Sequence, residues 1–235
     1  YVLEVNPRAS RTVPFVAKSI GIPIGKIAAK IMAGKLLDEF AISFEQKEPK
    51  TFNVKESVFP FNKFDGVDLI LGPEMKSTGE VMGIDKSFLT AFIKSQIASG
   101  TNLPKKGKVF LSIDDNNKNK LLPIANKLKF LGFELIATKG TGYFLKKNKI
   151  KVILINKVKE GKPHIVDSLL DKKIDLVINT TKTQSSVRDS YSLRRTSLMN
   201  NIPYYTTIAG AKIAVDAIEV LKKEALTVRS LQSIY

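Results

Sequence analysis

The 235-residue chain has no cysteine and no tryptophan, and only one histidine, His164. The missing cysteines exclude disulfides and thiolate chemistry, and a single imidazole excludes any multi-histidine metal centre. No stretch reaches the roughly eighteen consecutive apolar residues of a membrane span, and the start lacks a charged-then-apolar secretory pattern. A cytoplasmic setting without membrane contact is therefore expected. What is abundant is lysine: 32 of the 38 basic residues, against 22 acidic ones, for a net charge of +16. The excess is uneven. Residues 1–105 carry 14 basic and 11 acidic side chains, and residues 106–235 carry 24 and 11. The second half thus favours anions. Its lysines are scattered and no aromatic-basic stripe accompanies them, so a phosphate-bearing small ligand fits better than DNA or RNA.

Residues 1–5 read as a strand that Asn6-Pro7 breaks, since proline lacks an N–H and extends its predecessor. On such a strand Glu4 and Asn6 would share a face, offering hard oxygens of the kind Mg²⁺ or Mn²⁺ accepts beside substrate phosphates. Arg8 and Arg11 add forked donors for an anionic oxygen. Taken alone, these six residues favour the plainer reading, a satisfied strand-end carboxylate followed by solvated arginines.

Apolar spacing predicts one helix over 14–36, with Gly34 at its end. Residues 52–54 and 57–59 read as strand, residues 63–83 as glycine-rich ordered loop, and residues 86–98 as a short amphipathic helix. The breakers at 99–104 mark the best boundary in the chain. Beyond it, strand-like runs at 108–113, 133–137, 151–155, 175–179 and 203–206 alternate with helical stretches at 118–131, 165–171, 185–200 and 209–223. Alternation of this kind predicts a doubly wound α/β domain whose ligands sit at the carboxyl ends of a parallel sheet. Those ends carry Ser112, Lys118, Thr138-Lys139-Gly140-Thr141-Gly142, Asn156-Lys157 and Asn179-Thr180-Thr181. Each could be ordinary turn chemistry; four together point to phosphate binding, with no evident carboxylate for general base work.

Four segments resemble a known family closely: Glu4–Phe15 (Glu-Val-Asn-Pro-Arg-Ala-Ser-Arg-Thr-Val-Pro-Phe), Ile31–Lys35, Pro60–Phe64 and Leu71–Gly83. They are similar to the carboxyl-terminal part of carbamoyl-phosphate synthase large subunits. The resemblance implies that residues 1–98 form the end of the second ATP-grasp unit, an α+β segment, that 99–105 link, and that 106–235 form a regulatory domain resembling methylglyoxal synthase. It further implies an ATP-dependent ligase that phosphorylates carbamate, with Glu4 and Asn6 as metal ligands and Arg8 and Arg11 on the carbamate or carbamoyl-phosphate oxygens. Ser112, Lys118, Thr138, Thr141, Lys157, Asn179, Thr180 and Thr181 match a site for a nucleotide monophosphate, UMP or IMP. Glu56 and Thr206 match positions associated with the activator ornithine. A glutaminase small subunit is the implied partner, and the chain alone is expected to be inactive, since the upstream ATP-gripping residues lie elsewhere.

Two departures stand out. After Asn-Thr-Thr, where the family carries arginines, this chain reads Lys182-Thr183-Gln184-Ser185, and Tyr205 stands where aspartate is common. The other readings are a stand-alone phosphate-binding module and a lyase like methylglyoxal synthase, which needs a carboxylate base and a histidine in the pocket. His164 is expected to make a structural hydrogen bond instead.

Overall fold

The structure, a computed structural model, describes all residues except 3–4, 43–49, 62–69, 71–75, 182–183 and 235, and the side chains of 184–186. The chain divides into two compact units. One comprises Tyr1–Val58, Gly79–Ser99 and Thr227–Tyr235; the other comprises Phe59–Thr78 and Gly100–Leu226.

The first unit contains α1 (Thr12–Ile20), α2 (Ile24–Met32), β1 (Phe52–Val58), β2 (Gly79–Asp85) and α3 (Phe88–Ala98). The single helix expected over 14–36 is two. Gly21 takes a left-handed conformation (φ 71°) that ends α1, and Pro23 then starts α2. Proline cannot continue a helix through its missing N–H, but it suits a start. Gly34, at φ 99°, follows the last turn of α2. Residues 1, 2 and 5 form no strand. A strand exists only by pairing, and none of the described residues pairs with them.

The loop expected at 63–83 ends in a strand. β2 runs antiparallel to β1, with Phe52 opposite Asp85 and Val58 opposite Gly79. Its glycines hid it, yet Gly83 is what allows α3 to lie on the hairpin. A Cβ there would stand 1.9 Å from the carbonyl oxygen of Ala91 and 2.6 Å from the amide nitrogen of Ser95. Ser87 caps α3, its hydroxyl accepting the N–H of Thr90.

The second unit carries β3 (Lys108–Ser112), α4 (Lys118–Phe130), β4 (Glu134–Thr138), α5 (Lys139–Lys147), β5 (Ile153–Ile155), α6 (Ile165–Leu170), β6 (Leu176–Asn179), α7 (Gln184–Asp189), α8 (Tyr191–Met199), β7 (Tyr204–Tyr205) and α9 (Ile208–Lys223). The strands form a parallel sheet in the order β5-β4-β3-β6-β7. Both faces are apolar, as a covered parallel sheet requires. Phe110, Ile136 and Val177 pack with Ile165, Leu169 and Leu193 from α6 and α8. The intervening Val109, Leu111, Leu135, Ala137, Leu176 and Ile178 are also buried and so point to the opposite face. There α4 packs on α9.

Two elements differ from the sequence reading. The hydroxylic strand end at 138–142 runs into a helix, α5, over Lys139–Lys147, and the stretch at 185–200 is two helices broken at Ser190. Glycines at 140 and 142 obscured α5. Gly142 is there for contact, because a Cβ would fall 2.2 Å from Leu154 Cδ2.

Between α4 and α9, Lys127 Nζ lies 2.6 Å from both Asp216 and Glu219. Hydrogen bonds from Lys127 and Lys223 pull Glu219 down to about 2, and bonds from Lys127 and Lys212 hold Asp216 low against its own desolvation. A carboxylate with a depressed folded-state pKa stabilises above its ordinary value, and that contribution vanishes as pH falls through the folded one. The thermal midpoint should therefore drop between about pH 4.5 and pH 2. Lys127→Met should show a smaller drop, and an undiminished one would clear the cluster of responsibility.

Candidate functional site

The strand order fixes where a site can form. From β3 the chain moves to β4 and β5 on one side, then crosses to β6 on the other. The carboxyl ends of β3 and β6 therefore flank a crevice that no crossover helix fills. A cavity of about 360 Å³ opens there. Its lining brings together Ser112, Lys118, Thr138, Thr141, Lys157, Asn179, Thr180 and Thr181, the eight positions nominated from four strand ends. Phe110, Ile165 and Leu193 reach it from the core.

The hydroxyls do different work. Thr141 Oγ1 accepts the N–H of Ile113 (2.9 Å), and Thr180 Oγ1 accepts the N–H of Asp114 (3.0 Å) while donating to the Asp114 carboxylate (2.8 Å). Both are buried, at 2% and 8% exposure, and they fasten the turn after β3. Thr138 Oγ1 lies 3.4 Å from Ser112 Oγ, and Asn179 Nδ2 donates to the Tyr204 hydroxyl. Thr181 is half-buried at the wall.

Charge collects around the start of α5. Thr138 precedes its first turn without a side-chain cap, so that side chain leaves the leading N–H groups unsatisfied. Such amides, with the helix dipole, favour an anion. Lys118 Nζ lies 3.7 Å from where a Cβ on Gly140 would stand, which places its ammonium against that turn. It also pairs with Asp115 Oδ1 at 2.6 Å. Lys157 is exposed, and its ammonium has no partner among the described residues.

Carboxylates do reach the cavity, contrary to the sequence reading: Asp114, Asp115 and Asp189 all line it. Each is engaged, Asp114 by Thr180 and Asn117, Asp115 by Lys118, and Asp189 by Lys159. Asp189 and Ser190, from the α7–α8 corner, are lining residues that strand-end reasoning passed over. A hydroxyl or carboxylate at a helix junction carries no signal of its own in the sequence. His164 is not in the lining. It caps α6, its Nδ1 accepting the Asp167 N–H (3.4 Å) while the Asp167 carboxylate accepts the His164 N–H (2.9 Å).

The remaining nominated residues lie elsewhere. Glu4 is outside the described residues, as are Lys182 and Thr183. Asn6, Arg8 and Arg11 are exposed on the first unit. Asn6 offers one carboxamide oxygen of the nominated pair, and the position that would complete it, Glu4, is outside the described residues. Among the described residues no three His, Cys, Asp or Glu side chains gather in a metal-binding group. Glu56, on β1, is partly buried, and desolvation raises its pKa against a hydrogen bond from Gln96. Thr206, in the second unit, lines an adjoining cavity of about 390 Å³ with Lys120 and Lys212, and that cavity shares Asp114, Thr180 and Thr181 with the first.

An MGS-like domain matches residues 120–206. A carbamoyl phosphate synthase large chain from Mesorhizobium japonicum is 52% identical over 239 aligned residues, covering all of this chain and 20% of its own length. The protein named as the C-terminal section of that chain in Aquifex aeolicus is 48% identical, covering all of this chain and 48% of its own length. The chain matches carbamoyl phosphate synthase large chains from end to end. It spans from about a fifth to about half the length of these curated relatives. A methylglyoxal synthase from Elizabethkingia anophelis NUHP1 is 20% identical, covering 48% of this chain and 79% of its own, with a TM-score of 0.38. The α/β sheet of the second unit, with its MGS-like match, is the fold expected for residues 106–235.

Proposed function

We propose that this chain is the effector-binding end of a glutamine-dependent carbamoyl phosphate synthase, and that the cavity in its second unit takes a nucleoside monophosphate. The convergence of Lys118, Lys157 and the α5 amides on one crevice carries this reading. The phosphate would lie against α5, between the two lysines. Asn179, Thr181 and Asp189 then face the sugar and base, and a carboxylate such as Asp189 suits vicinal hydroxyls as acceptor. Thr141 and Thr180 act through the backbone they hold.

The parent reaction, ATP-dependent phosphorylation of carbamate, needs substrate-gripping parts beyond these residues. Arg8 and Arg11 support it as donors for carbamate or carbamoyl-phosphate oxygens, stabilising charge by position. Divalent metal, ATP and a glutaminase subunit belong to that whole reaction, as do arginine and pyrimidine synthesis in the cytoplasm. Ornithine is a further effector, and Glu56 supports it as a desolvated carboxylate suited to an ammonium. The stand-alone module and the lyase are weaker readings. The lyase needs an imidazole in the cavity, and His164 is committed to α6.

Calorimetric titration of the 235-residue chain with UMP and with IMP tests the proposal. Saturable binding of one of them is expected, and Lys157→Ala should weaken it by on the order of tenfold, the worth of one charged hydrogen bond. No heat from either nucleotide at saturation would refute it.

A further inference from the structure

Arg194 is the largest fully buried side chain among the described residues, at 2% exposure. It sits on α8 directly after Leu193, which packs into the core with Phe110 and Ile165 and lines the cavity. Its Nη1 donates to the carbonyl of Val187 at 2.9 Å. That carbonyl belongs to the last turn of α7 and also accepts the N–H of Ser190 at 3.3 Å. The backbone N–H of Arg194 in turn donates to the Ser190 carbonyl at 3.0 Å. The corner between α7 and α8 is thus clasped from both sides, and it carries Asp189 and Ser190 into the cavity.

Burying a guanidinium is a poor way to gain stability. The desolvation cost cancels much of the attraction, and an apolar side chain of similar volume often packs as well. What the guanidinium adds is direction, with a charged donor aimed at the Val187 carbonyl, at the helix end whose dipole favours a cation. α7 has six residues, too few to hold its own orientation without tertiary contact. We propose that Arg194 is a positioning residue for the nucleoside side of the effector cavity: it fixes the α7–α8 corner so that Asp189 and Ser190 meet the sugar and base. The phosphate side, built from α5, Lys118 and Lys157, does not depend on it. The inference rests on the nucleotide reading above, and deepens it by dividing the site into two independently supported halves.

The division gives a readout that a general loss of packing would not move. The 235-residue chain and its Arg194→Met and Arg194→Lys variants are titrated with the better-binding nucleotide and with inorganic phosphate, and their thermal midpoints are recorded. Arg194→Met is expected to weaken nucleotide binding tenfold or more while phosphate affinity stays within twofold. Arg194→Lys, which keeps a cation but not the planar fork, should fall between. If the methionine variant does not fold, the lysine variant decides: a nucleotide loss of threefold or more at constant phosphate affinity supports the assignment. Equal losses for both ligands, or no loss for either, overturn it. If the parent chain binds phosphate and nucleotide equally, the nucleoside half does not exist and the proposal falls. If it binds neither, the reading of the cavity fails as well.

Discussion

Phe110→Ala should destabilise the second unit by about 3–5 kcal/mol, the usual cost of emptying a buried aromatic position. Phe110 is 1% exposed, on the central strand β3. It packs with Ile136, Val177, Ile165, Leu169 and Leu193, side chains from both neighbouring strands and from two helices. No single element can move in to refill the space, since each is held by its own ladder or packing. Phe110 also lines the 360 Å³ cavity, so the hole would open beside the proposed nucleotide site. Urea unfolding followed by circular dichroism measures the effect through the shift in midpoint at constant slope. Phe110→Leu, which keeps most of the volume, should cost far less. A loss below about 1 kcal/mol for the alanine variant would mean that the core is not organised around this ring.

The second large effect belongs to the first unit. Gly83→Ala should cost about 3 kcal/mol, the upper end of ordinary overpacking. The single methyl group would meet main-chain atoms of α3, the Ala91 carbonyl oxygen at 1.9 Å and the Ser95 nitrogen at 2.6 Å. A flexible side chain could swing aside from such a contact, but a helix backbone has to translate. That movement would disturb the contacts between α3 and both strands, including the edge-to-face pair Phe52–Phe88. Gly79→Ala is the control, because a Cβ there meets nothing within 4 Å. It should stay within about 0.5 kcal/mol of the parent. Thermal unfolding of the two variants side by side tests the pair. Equal stabilities would show that α3 does not lie on the hairpin as described.

Gly83 also shows what the sequence could and could not convey. It closes the motif Leu71–Gly83, which carried much of the family resemblance, yet its glycines made the stretch read as loop. Periodicity sees side chains, and a residue present for its lack of one is silent. The same blindness hid α5, where Gly142 makes room for Leu154. By contrast β3, β4 and β6 were legible because each is a short apolar run between breakers, the mark of a strand covered on both faces. The site divides along similar lines. Residues at strand ends were found because a parallel sheet makes those ends a place. Asp189 and Ser190 were missed because a helix corner becomes a wall only through tertiary packing. Thr141 and Thr180 were recognised, but whether a hydroxyl faces a ligand or its own backbone depends on geometry that the sequence does not hold.

The pairing of β3 with β6 sets Ser112 beside Asn179, although 66 positions lie between them along the chain. Closing so long a loop is entropically costly and tends to come late in assembly. The crevice is therefore complete only in a finished domain. A nucleotide that binds there recognises the native molecule alone, and mass action makes it a pharmacological chaperone: at a hundredfold excess over Kd it would add about 2.7 kcal/mol against unfolding. Metabolite supply and the lifetime of this domain would then be linked, whichever sign the effector gives to catalysis.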